Sequence, residues 1–335
     1  AVEAARACRD EYVGQGIDLS AYNSAQSAAD VDDLRRALGY EQVNLYGISY
    51  GSRLALTVMR DYPEHVRSVI LDSVYPPQVD LYSSQAANAE RALNVLLDNC
   101  AADPACSAAY PDLRQSFLDA VDVLDADPVT LPVFRPDRQY IAQVDGRLFV
   151  EMVYNLLYDV ATLPTVPRWI TVARDRDQLA IAREVNAALG YANHWGAYLS
   201  VQCRDEVAFE SRAGLEAAAA GVAAPLRSAY ATGLMFELCE VWDVGQPPAV
   251  ENEPIESDIP ALLLAGEYDP ITPPEWAHLA AETLPNGRVY EFRGVGHGVM
   301  RSNECALSIG LQFLEDPTGP LDTSCMAALE GVAFR

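Results

Sequence analysis

The sequence contains few basic residues and no long apolar run. It has no lysine, and its 23 arginines stand against 48 aspartates and glutamates, which gives a formal net charge of -25. Phosphate backbones and anionic lipid surfaces both require clustered lysine and arginine, which this sequence does not offer. No segment approaches the roughly 18 apolar residues that a helix needs to cross a bilayer. Nucleic acids and membranes are therefore not expected as partners.

The sequence also lacks the cysteine and histidine spacings of metal sites. None of its seven cysteines stands in a Cys-x-x-Cys pattern. A nucleotide is not expected either, because no Gly-x-Gly-x-x-Gly follows a predicted strand. We therefore predict no metal and no other cofactor. Cysteines without metal spacing favour disulfides and an oxidising compartment, with buried free thiols as the alternative. The expected pairs are Cys100 with Cys106, Cys203 with Cys239, and Cys305 with Cys325, which leaves Cys8 over.

The amino terminus, "AVEAARACRDEY", lacks the basic and apolar parts of a signal peptide. We expect either a mature chain or one whose front is missing. The predicted disulfides favour a secreted or cell-envelope location.

Strands alternate with helices at both ends of the chain. "QVNLYGI" and "VRSVILDSV" are typical of buried strands, and "SAQSAADVDDLRRALGY" predicts a capped helix with Ala28, Val31, Leu34 and Leu38 on its apolar face. The alternation predicts an α/β fold with a mostly parallel sheet covered by helices on both faces. We expect residues 1–80 and 246–335 to form one core and residues 81–245 a helical insertion.

Gly47, Ser49 and Gly51 fit the pattern Gly-x-Ser-x-Gly between a predicted strand and a helix. Such a turn exposes the serine hydroxyl at the carboxyl end of the sheet. The backbone N–H of Tyr50 can then donate to a developing oxyanion. The alternative is a glycine-bounded turn with an incidental serine.

A serine nucleophile requires a base, and the sequence has four histidines. His297 directly follows a predicted strand and has glycines on both sides, so we expect it to be the base. His65 is expected on the surface and His278 on a helix. His194 belongs to the insertion, where it could line a pocket or only pack against its neighbours.

The acid that orients the histidine is expected after the strand "ALLLAG". Asp269 is favoured over Glu267, although an Asp-Pro turn would also explain it. Ser49, Asp269 and His297 follow one another as nucleophile, acid and base, each just after a predicted strand. This shared position favours a hydrolytic triad.

Several stretches carry a family resemblance. They are "GIDLSAYNSAQSAADVDDLRRALGYEQVNLYGISYGSRLALTVMRDYPEHVRSVILDSVYPP", "VQCRDE", "LLLAGEYDPITPP", "GVGHGV" and the tail from Cys305 to Cys325. The chain resembles the secreted tripeptidyl aminopeptidase and proline iminopeptidase-like branch of the α/β-hydrolases. The resemblance implies a peptide substrate cleaved from its N-terminus, an acyl-enzyme on Ser49, and a helical cap that supplies specificity.

The resemblance also implies acidic cap residues that bind the protonated α-amine of the substrate. Asp205 and Glu206 in "CRDE" are the candidates, followed by Glu240. The alternative is that "CRDE" forms a disulfide-anchored structural turn with a local Arg204 salt bridge.

The chain departs from this family at its front. Only 42 residues precede Val43, where the family has several further strands and a glycine-rich loop with a second oxyanion donor. We therefore expect the N-terminal strands to be missing and a segment of the same protein to be a possible partner. Two alternatives stay open: a carboxylesterase of the same fold, and a catalytically incomplete scaffold that binds a partner segment.

Overall fold

Six strands form two sheets in a computed structural model that describes residues 1–134, 139–188 and 195–334. The strands are β1 (Val43–Ser49), β2 (Val66–Val74), β3 (Val129–Phe134), β4 (Gln139–Val144), β5 (Ala261–Gly266) and β6 (Gly287–Phe292). The larger sheet has the order β1-β2-β5-β6, and all of its strand pairs are parallel. The carboxyl ends of its strands therefore meet at one edge.

The central strands are buried on both faces, as their continuous apolar sequence predicts. In β2, Val69 and Leu71 pack in one apolar core while Ile70 packs in another. In β5, Leu263 joins the first core and Leu262 joins the second. This alternation places one helical layer on each side of the sheet.

The helices fall into a core set and an inserted set. They are α1 (Val2–Gly14), α2 (Ser24–Ala37), α3 (Tyr50–Asp61), α4 (Leu81–Ala102), α5 (Pro104–Ala109), α6 (Leu113–Ala126), α7 (Gly146–Tyr158), α8 (Val166–Arg174), α9 (Gln178–Ala188), α10 (Trp195–Gln202), α11 (Arg212–Ala219), α12 (Ala224–Tyr230), α13 (Leu234–Trp242), α14 (Pro274–Ala281), α15 (Val299–Ser302) and α16 (Glu304–Glu315). Helices α2, α3 and α14 contribute to the core on one face of the sheet, and α16 covers the other.

The prediction of the apolar face of α2 is partly wrong. Ala28 is buried, but the side chains of Leu34 and Leu38 are 60% and 61% exposed. The buried face follows Ser24, Ala28, Asp32 and Arg35 instead. Asp32 and Arg35 can be buried there because their side chains form an ion pair at 2.8 Å.

Helices α4 to α13 lie in the chain between β2 and β5. This segment also contains a hairpin of two strands that was not predicted from the sequence. Residues 81–245 were expected to form a helical insertion, but β3 pairs with β4 there in antiparallel register. Val129, Leu131 and Val133 are buried and alternate with exposed residues. Pro132 is compatible with a strand of this small sheet because prolines are tolerated in edge strands.

Three disulfides join the same pairs that the sequence analysis expects. Cys100–Cys106, Cys203–Cys239 and Cys305–Cys325 are separated by 6, 36 and 20 residues. Cys8 on α1 is a free, partly buried cysteine. The second disulfide links the π-helical turn Cys203–Val207 to α13 within the insertion.

Within the described ranges, no helix combines the length and the apolar character that a bilayer crossing requires. Those same ranges contain no cluster of three or more His, Cys, Asp or Glu residues that could hold a metal ion.

Candidate active site

Ser49 lies at the junction between β1 and α3, and its backbone has φ 58° and ψ -123°. A non-glycine residue rarely adopts this left-handed conformation, which costs about 1 to 3 kcal/mol and persists only where its surroundings hold it. Ser52 is part of those surroundings. Its hydroxyl donates to the Ser49 carbonyl at 2.6 Å and accepts from the Tyr75 N–H at 2.9 Å.

The two glycines around Ser49 have different roles. A Cβ added at Gly47 would collide with the carbonyl oxygen of Gly51, because the start of α3 crosses directly over the end of β1. A Cβ added at Gly51 would meet nothing within 4 Å. Of the two glycines in the Gly-x-Ser-x-Gly pattern, only Gly47 is required by close approach.

Tyr50 is the first residue of α3. The first N–H groups of a helix have no partner inside the helix, so the Tyr50 N–H is available to an oxyanion formed at Ser49. The Tyr50 side chain is held by Ser24, since the two hydroxyl oxygens lie 3.0 Å apart. Helix α2 thus helps to fix the start of α3.

Asp269 and His297 form a buried pair at the neighbouring strand ends. His297 Nδ1 lies 2.8 Å from Asp269 Oδ2, and the two residues are 8% and 0% exposed. Asp269 follows β5 and His297 follows β6, so parallel pairing of these strands brings the two loops together. This is the contact that a histidine base and its orienting acid require.

Thr272 completes the surroundings of Asp269. Its N–H donates to Asp269 Oδ1 at 2.9 Å, and its hydroxyl donates to Oδ2 at 2.7 Å. The same hydroxyl oxygen lies 3.2 Å from His297 Nδ1. Thr272 was not predicted from the sequence. Its position three residues after the acid, in "DPIT", is the signal that could have found it, since Asp side chains commonly accept from N–H groups two or three residues on.

Burial alone would raise the pKa of Asp269, but the charge of His297 and the hydrogen bonds from His297 and Thr272 outweigh it. The pKa of Asp269 is therefore held below its ordinary value. An ionised carboxylate at this position favours the Nδ1–H tautomer of His297, which leaves Nε2 free to accept a proton.

The insertion holds one side of the histidine loop. The His297 N–H donates to the Tyr158 carbonyl at 2.8 Å, and the two rings meet edge to face with centroids 5.1 Å apart. Gly296 lies against the carbonyl oxygens of Leu157 and Tyr158, where a Cβ would collide. The carboxyl end of α7 therefore fixes the position of His297.

The end of β2 holds the other side of this loop. Asp72 is fully buried and accepts hydrogen bonds from the Val299 and Met300 N–H groups at 2.7 and 2.9 Å. The Tyr46 hydroxyl donates to the same carboxylate at 3.0 Å. Asp72 was not predicted from the sequence. The carboxylate inside the apolar run "VILDSV" could have indicated it, because a buried carboxylate requires partners.

Ser49 lines a cavity of about 350 Å³ together with residues of the insertion and of the acid loop. The lining residues are Ser49, Tyr50, Tyr75, Leu81, Ala197, Tyr198, Val201, Gln202, Ile271 and Thr272. Thr272 connects this cavity to His297. Among the hydrogen bonds of the described residues, none joins Ser49 to His297; such bonds commonly tighten when substrate binds. The structure thus pairs Asp269 with His297 and places Ser49 at the same edge of the sheet.

The other candidates for base and acid have separate contacts. His65 Nδ1 lies 2.7 Å from Asp32, and His278 Nε2 lies 2.7 Å from Glu291 on the surface. His194 lies outside the described residues. Glu267 accepts from the Gly294 N–H at 2.8 Å and from the Asn99 side chain at 3.2 Å, so it holds the loops around the site together.

The predicted amine-binding carboxylates do not line the Ser49 cavity. Asp205 Oδ2 accepts from the Ser24 N–H at 2.7 Å. Glu206 is 2% exposed and pairs with the buried Arg53 at 2.6 Å. Glu240 is exposed on α13, with Arg212 3.5 Å away. Their binding of a substrate amine stays a prediction, and the contacts that the structure gives them are structural.

The Arg53–Glu206 pair joins the insertion to the helix that follows Ser49. Burial raises the pKa of Glu206 to about 8, against the opposing effect of Arg53 and of the Leu81 N–H that donates to it. Arg53 also donates to the Asp205 carbonyl and lies over the Tyr75 ring. Arg204 does not form the local salt bridge considered above, but donates to the Val244 carbonyl at 2.8 Å.

Comparison with known proteins gives a family match at the carboxyl end. The model of the family described as "TAP-like protein" matches residues 224–325, which include Asp269 and His297. This region is therefore similar to the TAP-like family, and the chain has the α/β fold with a parallel sheet that its sequence predicts.

Two peptidases are among the relatives. Serine protease Hip1 of Mycobacterium tuberculosis is 23% identical over 352 aligned positions, which cover 94% of this chain and 65% of Hip1. The chain thus spans just under two thirds of that relative. Tripeptidyl aminopeptidase of Streptomyces lividans is 37% identical over 71 residues, which cover 21% of this chain and 13% of that protein.

Among solved structures, the chain is similar to MGS-M2, an α/β hydrolase enzyme from a Medee basin deep-sea metagenome library. The identity is 15% and the TM-score 0.40, with 90% of this chain and 74% of that chain covered.

Proposed function

We propose that the chain is a serine hydrolase that cleaves peptides from the N-terminus through an acyl-enzyme on Ser49. The observation that carries this proposal is the left-handed Ser49 at the end of β1, at the same edge of the sheet as a buried Asp269–His297 pair that follows β5 and β6. A strained serine and a preassembled acid–base pair together form the arrangement that nucleophilic catalysis requires.

In this mechanism His297 Nε2 accepts the proton of the Ser49 hydroxyl as its oxygen attacks the peptide carbonyl. Asp269 Oδ2 accepts the Nδ1–H and stabilises the imidazolium that forms. The Tyr50 N–H donates to the oxyanion. His297 then gives its proton to the leaving amine, and a water activated by the same histidine hydrolyses the acyl-enzyme.

Two observations support the peptidase activity and its location. Hip1 and the Streptomyces tripeptidyl aminopeptidase are peptidases by name, and the first aligns along nearly the whole of this chain. Three disulfides are typical of proteins that fold in an oxidising environment. We therefore propose that the protein acts outside the cytoplasm, secreted or in the cell envelope.

A carboxylesterase is the second candidate, because the three predicted amine-binding carboxylates do not line the cavity. Asp205 and Glu206 are buried in contacts with Ser24 and Arg53, and Glu240 lies on the surface. A cavity without a free carboxylate offers no strong partner to a substrate ammonium.

Matched substrates separate the two candidates. Initial rates would be measured on Ala-Ala-Leu p-nitroanilide, its N-acetyl form and p-nitrophenyl butyrate, with Ser49→Ala as the blank. An aminopeptidase hydrolyses the free-amine anilide at least tenfold faster than the acetylated one. Equal rates on the two anilides would overturn the aminopeptidase, and turnover of the butyrate alone would favour the esterase. Unchanged turnover by Ser49→Ala would overturn both.

A further inference from the structure

Three neutral polar side chains form a hydrogen-bonded cluster at the wall of the Ser49 cavity. The Tyr82 hydroxyl donates to Gln202 Oε1 at 3.0 Å, and its oxygen lies 2.8 Å from the Tyr198 hydroxyl. Tyr198 and Gln202 both line the cavity and belong to α10, while Tyr82 belongs to α4. Two helices of the insertion therefore fix the position of the Gln202 amide.

Gln202 has unused hydrogen-bonding capacity. Its side-chain oxygen is occupied by Tyr82, but its Nε2 group donates to no residue in the described part of the chain. A glutamine amide carries two N–H donors, which require an acceptor outside these residues. Gln202 is only 7% exposed and borders the cavity, so a molecule in the cavity is the available acceptor.

The other lining residues restrict the chemistry of that acceptor. Among the described residues that line the cavity, none has a carboxylate, ammonium or guanidinium side chain. The side chains of Leu81, Ala197, Val201 and Ile271 supply apolar surface. A neutral carbonyl fits such a cavity, because a carboxylate would lose its hydration without gaining a counter-charge.

We infer that Gln202 Nε2 donates to a backbone carbonyl in the acyl part of a peptide substrate, one residue before the carbonyl that Ser49 attacks. The inference rests on the proposed function for the direction of the peptide. It makes Gln202 a specificity-determining residue, which favours acyl groups of two or more residues over a single aminoacyl group.

Binding to an inactive protein tests this contact without relying on turnover. Ser49→Ala would be titrated by calorimetry with the peptide Ala-Ala-Leu-Ala amide and with an analogue in which an (E)-alkene replaces the amide between the second and third residues of that peptide. The analogue keeps the shape but lacks the carbonyl. We expect Ser49→Ala to bind the natural peptide about tenfold more tightly than the analogue, as for the loss of one neutral hydrogen bond.

The titrations would be repeated after adding Gln202→Met, which keeps the length of the side chain and removes its donors. The ratio of the two dissociation constants is then expected to fall to about one. Gln246→Met, the same change at an exposed residue outside the cavity, should leave the ratio at about ten. Gln202→Glu, which retains an acceptor for Tyr82, serves if the Met variant does not fold.

The inference is overturned if the ratio of the two dissociation constants stays at about ten in the Gln202 variants. It is also overturned if this ratio is about one in Ser49→Ala, or if neither peptide binds. Failure of the proposed function has a separate signature. It appears as absence of fluorophosphonate labelling of Ser49 in the unmodified chain, whatever the two dissociation constants are.

Discussion

Thr272 contacts both members of the Asp269–His297 pair, and its hydroxyl is the group that makes this possible. The hydroxyl donates to Asp269 Oδ2 and lies 3.2 Å from His297 Nδ1. A hydrogen bond to an ionised acceptor contributes about 1.5 to 3 kcal/mol when its partners are well placed. Thr272 is therefore a positioning residue for the acid and the base.

Replacing Thr272 by Val is expected to lower the rate of Ser49 acylation about tenfold or more, because Asp269 loses one donor and His297 is held less firmly. Fluorophosphonate labelling reports the same attack by the Ser49 hydroxyl, because the probe phosphonylates that oxygen. Thr272→Ser, which keeps the hydroxyl, should retain most of the rate. Equal rates for the Val variant and the unmodified chain would show that the hydroxyl has no positioning role.

The raised pKa of Glu206 predicts that the free energy of unfolding depends on pH. Its pKa is about 8 in the folded chain, against an ordinary value of 4.5. Between these values the folded state binds the proton that the unfolded state has released. The contribution of this group to stability therefore falls as pH rises, by at most about 1.4 kcal/mol per pH unit.

The direction of this pH effect can be checked by urea unfolding at pH 5 to 8, with the unmodified chain compared with Glu206→Gln. The free energy of unfolding of the variant should improve relative to the unmodified chain as pH rises, because the variant lacks the titrating group. The exposed Glu240→Gln should show no such trend. A difference that is independent of pH would contradict the prediction.

At the scale of elements, the turn after β1 depends on Gly47. Gly47→Ala should abolish folding or Ser49 labelling, since the added Cβ would collide with the backbone of Gly51. Gly51→Ala is the matched control, because a Cβ there meets open space and alanine favours a helix by about 1 kcal/mol over glycine. Thermal unfolding and labelling of both variants check this. A stable, labelled Gly47→Ala variant would contradict the close approach.

Strand β1 has one open edge among the described residues, since it pairs with β2 alone. Tyr46 on this strand is 43% exposed, and Leu34 and Leu38 of α2 are also exposed. Open strand edges invite pairing with a further strand. We propose that a segment of the same protein adds a strand at this edge.

Hydrogen exchange tests the open edge. In this chain about half of the β1 amides should exchange rapidly, since successive N–H groups of a strand point to opposite sides. In a longer form of the protein that contains the pairing segment, these amides should become protected. Uniform protection of β1 in the present chain, or no change in the longer form, would contradict the proposal.

The elements of the larger sheet could be predicted because their strands are buried on both faces and read as apolar runs between turn residues. The hairpin β3–β4 could not, since prolines in and around "VTLPVF" obscured an alternation of period two. The exposed side of α2 was misjudged because the buried Asp32–Arg35 pair depends on a contact that spacing alone does not show.

At the scale of the whole molecule, the site is held by parts of the chain that are distant in sequence. The Gly298 N–H donates to Ser73 across 225 residues, and the His297 N–H donates to Tyr158 in the insertion. The location of Ser49, Asp269 and His297 at one edge of the sheet could be predicted, because each lies at the carboxyl end of a strand and the strands are parallel. Tyr158 and Gln202 could not, because their roles depend on how the insertion and the core pack together.

The central claim is that Ser49 is a nucleophile activated by His297 and Asp269. Labelling of the intact chain with a fluorophosphonate, followed by mass spectrometry of the modified peptide, tests it most directly. We predict a single adduct on Ser49 that is absent in Ser49→Ala and whose formation is slowed by about 100-fold or more in His297→Ala. An unlabelled but folded chain, or an adduct on Ser49 that forms equally fast without His297, would contradict the claim.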